Sequence, residues 1–171
     1  MIAEKAFSRG ADAFASFAAR ARPHKDKAKS VTAFVIDIDG TDFIDRVRDC
    51  LLDLGFFGIL YTTYSHAKKA TPHGDYFRVI VPMDRPFLVS EHGGTVSKAS
   101  QEWLACYVGF AKLLGIQDMD LSAAKFVQMM YLPRRASAGS AFKHYLVAGR
   151  ALTIAEMPID VGLSPRSRFH W

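Results

Sequence analysis

The chain has 171 residues, enough for one domain with a real core; half of them are hydrophobic and 23% charged, so disorder is not its default state. A formal net charge of +5 points only weakly to a polyanionic partner, since many basic domains have none. No apolar run approaches the roughly 20 residues of a membrane span, and the opening residues carry no apolar block that would read as a secretory signal. The two cysteines, Cys50 and Cys106, match no zinc spacing and make no disulfide framework, so the expected setting is the reducing cytoplasm, away from membranes.

In chain order, residues 3–20 place Phe7, Ala11, Phe14 and Phe17 or Ala18 on one helical face. A charged loop from Pro23 to Ser30 follows, and Arg20, Arg22, His24, Lys25, Lys27 and Lys29 crowd the stretch just before the next strand, either steering phosphates or forming a solvated linker. Val31 to Ile38 reads as a strand, being β-branched, aromatic and apolar up to its acidic end. Residues 43–54 return to helical period through Ile44, Val47, Leu51 and Leu54, with Asp42 and Asp45 at the start and Gly55 just past the end. Phe56 to Thr63 is the next strand. Ser65 to Asp75 is a polar loop containing Pro72 and Gly74, and it leads into a strand from Tyr76 that ends at Pro82. Two strands joined without a helical pattern imply an antiparallel pair. Pro82, Pro86 and Gly93-Gly94 mark loops. Residues 100–114 form the clearest helix, with Trp103, Tyr107, Phe110 and Leu114 on a core-facing side and Gly115 as its stop. Strand-like runs from Val127 to Leu132 and from Phe142 to Val147 complete the order α-β-α-β-β-α-β-β. The expected class is α+β, a mostly antiparallel sheet with helices packed on it. Its parts are an N-terminal helix and basic loop (1–30), a core (31–150) and a C-terminal tail (151–171).

The chemistry concentrates in Phe34-Val-Ile-Asp-Ile-Asp-Gly. On a strand, Asp37 and Asp39 share one face while Ile36 and Ile38 take the other. Two carboxylates held so close repel unless a cation neutralises them or one binds a proton. Magnesium or manganese prefers such oxygen donors and keeps positions for water and phosphates. The competing reading is a pair of turn aspartates capping the helix near Asp42.

Val35-Ile-Asp-Ile-Asp-Gly-Thr41 resembles the first motif of haloacid-dehalogenase-type phosphatases, where Asp37 would be a nucleophile and Thr62 or Thr63 would supply the second motif. That family implies a parallel sheet, whereas the polar loop after Thr63 leads straight into another strand. A second resemblance spans about Lys25 to Gly149. It is carried by the aspartate pair, Tyr61-Thr-Thr-Tyr-Ser-His66, Tyr76-Phe-Arg-Val-Ile-Val-Pro-Met-Asp-Arg-Pro86, Asp120-Leu-Ser and Met130-Tyr-Leu-Pro133. Together these are similar to the replication primases of plasmids and phages in the archaeo-eukaryotic primase superfamily. The resemblance implies an RRM-like primase-polymerase core, magnesium or manganese as cofactor, nucleoside triphosphates as substrates, and a single-stranded DNA template.

It further implies Asp37, Asp39 and a third acid as catalytic metal ligands, with Asp120 in the third place and Asp118 its competitor. Ser65, His66 and Arg78 are the implied nucleotide contacts, although the family's Ser-x-His element is here contracted to adjacent Ser65 and His66. Lys25, Lys27, Lys29, Lys125, Arg134 and Arg135 are expected to meet the template or the triphosphate, while His73, beside Gly74, reads as a turn residue. A helicase or accessory domain is expected on a separate chain or a longer one. The rival functional expectations are the phosphatase and an inactive primase fold that binds nucleic acid or protein.

Overall fold

The structure is a computed structural model, and it describes residues 28–69, 73–126, 133–135, 137 and 139–157. The predicted helix over 3–20, the strand from Val127 to Leu132, Lys25, Lys27 and the end of the tail lie outside these residues. Within them the chain runs β1 (Ser30–Asp42), α1 (Ile44–Asp53), β2 (Gly58–Thr62), α2 (His66–Lys69), β3 (Asp75–Leu88), α3 (Val96–Leu113) and β4 (His144–Val147). Short 3-10 turns at Val89–Glu91, Leu121–Ala124 and Ile154–Glu156 intervene.

The four strands form one sheet in the order β1-β3-β2-β4, and every described pairing in it is antiparallel. β1 and β2 therefore run in the same direction on either side of β3, joined by α1, as same-direction strands require. The α+β class with helices on an antiparallel sheet is as expected.

Both helices pack on the face formed by Phe34, Ile36 and Ile38 of β1, Phe77, Val79 and Val81 of β3, and Leu60 of β2. From α3, Trp103 stacks on Phe34 with centroids 4.4 Å apart, and Phe110 lies 5.0 Å from the same ring. Trp103, Tyr107 and Phe110 are all buried, so they are core residues and not a stacking platform. Both helices end in the same way. Gly55 and Gly115 adopt positive φ, Gly55 N–H donates to Leu52 O and Phe56 N–H to Leu51 O, and Gly115 and Ile116 repeat this on Lys112 and Ala111. These are Schellman caps, each sealed by a buried apolar residue, Phe56 or Ile116.

Several expected boundaries change. The strand predicted to stop at Pro82 continues to Leu88. Pro82 sits beside the register slip of β1 between Val31 and Ala33 and past the last described β2 pair at Ile80, where less of the ladder calls on its missing N–H, and its carbonyl accepts from Leu152 N–H. The polar loop after Thr63 holds the four-residue helix α2. Helix α3 begins at Val96, where Thr95 caps it by accepting from Lys98 N–H. The α1 N-terminus is capped from a distance: Asp75 Oδ2 accepts from Ile44 N–H at 3.0 Å, across a contact the sequence does not reveal. The first residues of the expected tail also belong to the core, with Leu152 fully buried and bridged to Met83. Among the described residues no helix is long and apolar enough to cross a membrane.

Candidate functional site

Burial along β1 alternates: Phe34, Ile36 and Ile38 are fully buried, Val35 and Asp37 half-buried, and Asp39 exposed. Asp37 and Asp39 thus project from the face opposite the helices. The antiparallel register then lines up a row across that face. Asp37 stands opposite Arg78, Arg78 opposite Tyr61, and Tyr61 opposite His144.

Arg78 is buried, and its Nη2 donates to Asp37 Oδ2 at 2.6 Å while Nη1 donates to the Tyr61 hydroxyl at 3.3 Å. Burial by itself would lower its pKa, but the hydrogen bond and charge of Asp37, then Tyr61, reverse this and leave the guanidinium above its ordinary value. The other Asp37 oxygen, Oδ1, is buried and has no hydrogen-bond partner among the described residues. A buried carboxylate oxygen without a partner costs about 1–3 kcal/mol or more, which a cation beside it would relieve.

Asp120 reaches the site from the turn Leu121–Ala124. Its backbone N–H donates to the carbonyl of Asp37 at 3.3 Å, and its carboxylate accepts from Ser122 N–H at 2.8 Å and from the Ser122 hydroxyl at 2.5 Å. Asp120 is therefore a cap of its own turn and a neighbour of Asp37 at once. Its charge is felt at Asp39, whose carboxyl is pushed above the usual carboxylate value. Loss of surrounding water is the main cause, then the charges of Asp37 and Asp120, with Lys69 and Arg78 pulling partly back. Tyr107, whose hydroxyl donates to Val35 O at 3.1 Å, is pushed up by burial and then by the same two aspartates. Asp118 takes a different part, its carbonyl accepting from the Thr41 hydroxyl at 3.1 Å.

Geometry in the bulge explains why glycine follows the pair. The β1–β3 register shifts between Asp39 and Asp42, and Gly40 turns the chain there with φ +77°. A Cβ at Gly40 would also meet the Tyr76 ring at 2.9 Å.

The donors suit a hard divalent cation in kind, being carboxylates that repel one another, with one buried oxygen unpartnered. Among the described residues, however, no three His, Cys, Asp or Glu side chains converge closely enough to hold a metal ion. Arg78, expected to grip a triphosphate, here neutralises Asp37.

The remaining expected residues scatter. His66 is buried and accepts from Tyr76 N–H at 3.4 Å through Nδ1, which also lies 3.7 Å from Asp75 Oδ1. Asp75 projects from the helix-bearing side of β3 and also lies 3.6 Å from Lys143 Nζ, so His66 sits beside the α1 cap and not beside Asp37 and Asp39. Ser65 contributes its carbonyl to α2, accepting from Lys68 and Lys69 N–H. Lys29 opens β1 at its far end, where its carbonyl accepts from Val89 N–H, and Lys125 closes the turn after Asp120. Arg134 and Arg135 sit over the rings of Tyr64 and Phe142, at 5.7 and 5.3 Å. His73 is an exposed residue of a turn.

Residues that sequence reasoning passed over are Lys69, Tyr61, Ser122 and His144. Parity along β2 and β4 would have flagged Tyr61 and His144 only once the register was known. Compared with protein-family models, curated proteins and solved structures, the chain matches none.

Proposed function

We propose that this chain is the catalytic core of a metal-dependent DNA primase or primase-polymerase. It would transfer nucleotides from nucleoside triphosphates to a 3′-hydroxyl on a single-stranded DNA template, in plasmid or phage replication. The observation that carries the reading is the far face of the sheet. There Asp37, with its unpartnered buried oxygen, lies beside Asp39 and Asp120 and directly opposite Arg78.

Asp37, Asp39 and Asp120 are the residues that would hold magnesium or manganese, by closing around an ion from positions that do not converge on one point. When bound, the ion supplies neutralising charge to the transferring phosphoryl group and lowers the pKa of the attacking hydroxyl. Arg78 takes the triphosphate role ahead of His66, because it stands at Asp37 and would exchange that ion pair for phosphate, while His66 lies buried beside Asp75, away from Asp37. Lys69, whose charge reaches Asp39, adds a second cation at the same edge. A separate helicase or accessory domain would open the template.

A second reading is favoured by the Asp37–Arg78 ion pair, which satisfies one carboxylate without a metal: a degenerate primase fold that only binds nucleic acid. The phosphatase reading has less support, because its family's sheet is parallel and the described sheet pairs antiparallel throughout. One assay separates the three. The protein is incubated with labelled nucleotides, single-stranded DNA and manganese, beside Asp37→Ala, Asp39→Ala and Asp120→Ala variants. Metal-dependent extension or primer synthesis in the unaltered chain, lost in the first two variants and severely reduced in the third, is the expected result. No synthesis under any metal sinks the primase reading. Template binding that survives loss of both aspartates then favours the binding module, and a phosphorylated Asp37 with phosphomonoester hydrolysis favours the phosphatase.

A further inference from the structure

The row Asp37, Arg78, Tyr61, His144 ends on the outer strand β4, and at that corner the surface turns aromatic. Phe142, two residues before His144 and of the same parity, stacks on its ring with centroids 5.6 Å apart and planes at 29°. Arg135 stands 5.3 Å over Phe142. The β2–β4 pairing continues past Tyr61 and His144, since Thr62 N–H donates to Lys143 O at 2.9 Å and Lys143 N–H donates to the Thr62 hydroxyl at 3.0 Å. Tyr64 therefore leaves the sheet at the same end as Phe142. Its ring is 40% exposed, with Lys68 Nζ 4.6 Å away and the Arg134 guanidinium 5.7 Å away. One row further along the same face, Ile59 and Leu146 stand opposite each other and are 39% and 72% exposed.

Core packing does not account for these rings, because Tyr64 and His144 are exposed and Phe142 is only half-buried. Nor does simple solvation, which would not draw three cations onto two ring faces. Partly exposed rings, cations beside them and bare apolar side chains together make a surface that holds bases by stacking and the backbone by charge.

We propose that Tyr64, Phe142 and His144, with Lys68, Arg134 and Arg135, form a stacking track for single-stranded nucleic acid that leads along the β2–β4 edge toward the Asp37 row. The direction of the strand, as template, rests on the proposed function; the binding itself needs no transfer chemistry. Sequence-independent recognition follows, because every base has a π-face.

The test uses the full chain and fluorescence anisotropy with labelled oligodeoxythymidylate, beside an abasic strand of equal length. The unaltered protein is expected to prefer the base-bearing strand. Tyr64→Leu and Phe142→Leu each weaken its binding about tenfold, the scale of one lost stacked base, and narrow the gap to the abasic strand. Tyr64 is exposed, so its variant keeps the parent's thermal midpoint and the loss is not one of folding. Equal affinity for both strands in the unaltered chain, or unchanged affinity in Tyr64→Leu, overturns the track. Extension activity with an unaffected Tyr64→Leu variant sinks this inference alone. Stacking-dependent binding without any extension upholds the track and sinks the transferase reading alone.

Discussion

At the scale of single residues, Asp39 carries the clearest electrostatic consequence. Its carboxyl titrates above the ordinary value because its neighbours strip water from it and Asp37 and Asp120 repel its charge. A carboxylate raised in the folded state binds its proton more tightly there than in the unfolded chain. Below the unfolded pKa it carries no penalty; as pH rises through the folded pKa, ionisation costs stability, and the full cost persists at neutral pH. Asp39→Asn is therefore expected to raise the thermal midpoint of the metal-free protein at pH 7, with the gain shrinking to nothing as pH falls below about 4. Melting curves across that range check it, and destabilisation by Asp39→Asn at pH 7 would contradict the repulsion. The same substitution abolishes extension if Asp39 holds the metal, so stability and activity move in opposite directions, as they do where a site is built on strain.

At the scale of elements, the site depends on how β1 leaves the sheet. The bulge after Asp39 places Gly40 in the left-handed region, where a Cβ costs about 1–2 kcal/mol. Gly55, at the end of α1, has a similar φ of +69° but open space around its Cβ position. Gly40→Ala is expected to cost more than Gly55→Ala in a urea titration, because it also displaces the Tyr76 ring. Equal losses would mean the ring yields freely. The helical elements show the same dependence on tertiary partners. Asp45, in the first turn of α1, sits below its usual pKa through hydrogen bonds from Tyr145 and Lys143, which fasten α1 to the β4 segment.

At the scale of the whole molecule, the modest net charge of +5 matters less than its placement. Arg134 and Arg135 lie at the β2–β4 corner with Lys68, whereas the carboxylates occupy the β1 side of the same face. On the proposed track, a strand would meet the cations first and the acidic site last. Its binding should weaken with salt, and the double variant Arg134→Gln/Arg135→Gln should flatten the plot of log affinity against log salt by about 0.7 for each phosphate that is no longer neutralised. Anisotropy titrations at several salt concentrations measure this; an unchanged slope would place the phosphates elsewhere.

The α+β class and the shared face of Asp37 and Asp39 were legible in the amino-acid order, because both rest on short-range periodicity. Alternation in Val31 to Ile38 put Asp37 and Asp39 on one face, a link without the pattern of a crossover helix pointed to an antiparallel pair, and Gly55 and Gly115 marked the helix ends. Three features depended on contacts between distant segments, which periodicity does not encode. Register alone set Arg78 opposite Asp37 and Tyr61. The return of the chain after α3 brought Asp120 to the Asp37 carbonyl. A hydrogen bond from Tyr76 N–H holds the buried His66 near Asp75 and away from Asp37 and Asp39. Pro82 shows the same limit from the other side: a residue that ends strands by local rule is carried through one here, beside a register slip and past the last described β2 pair.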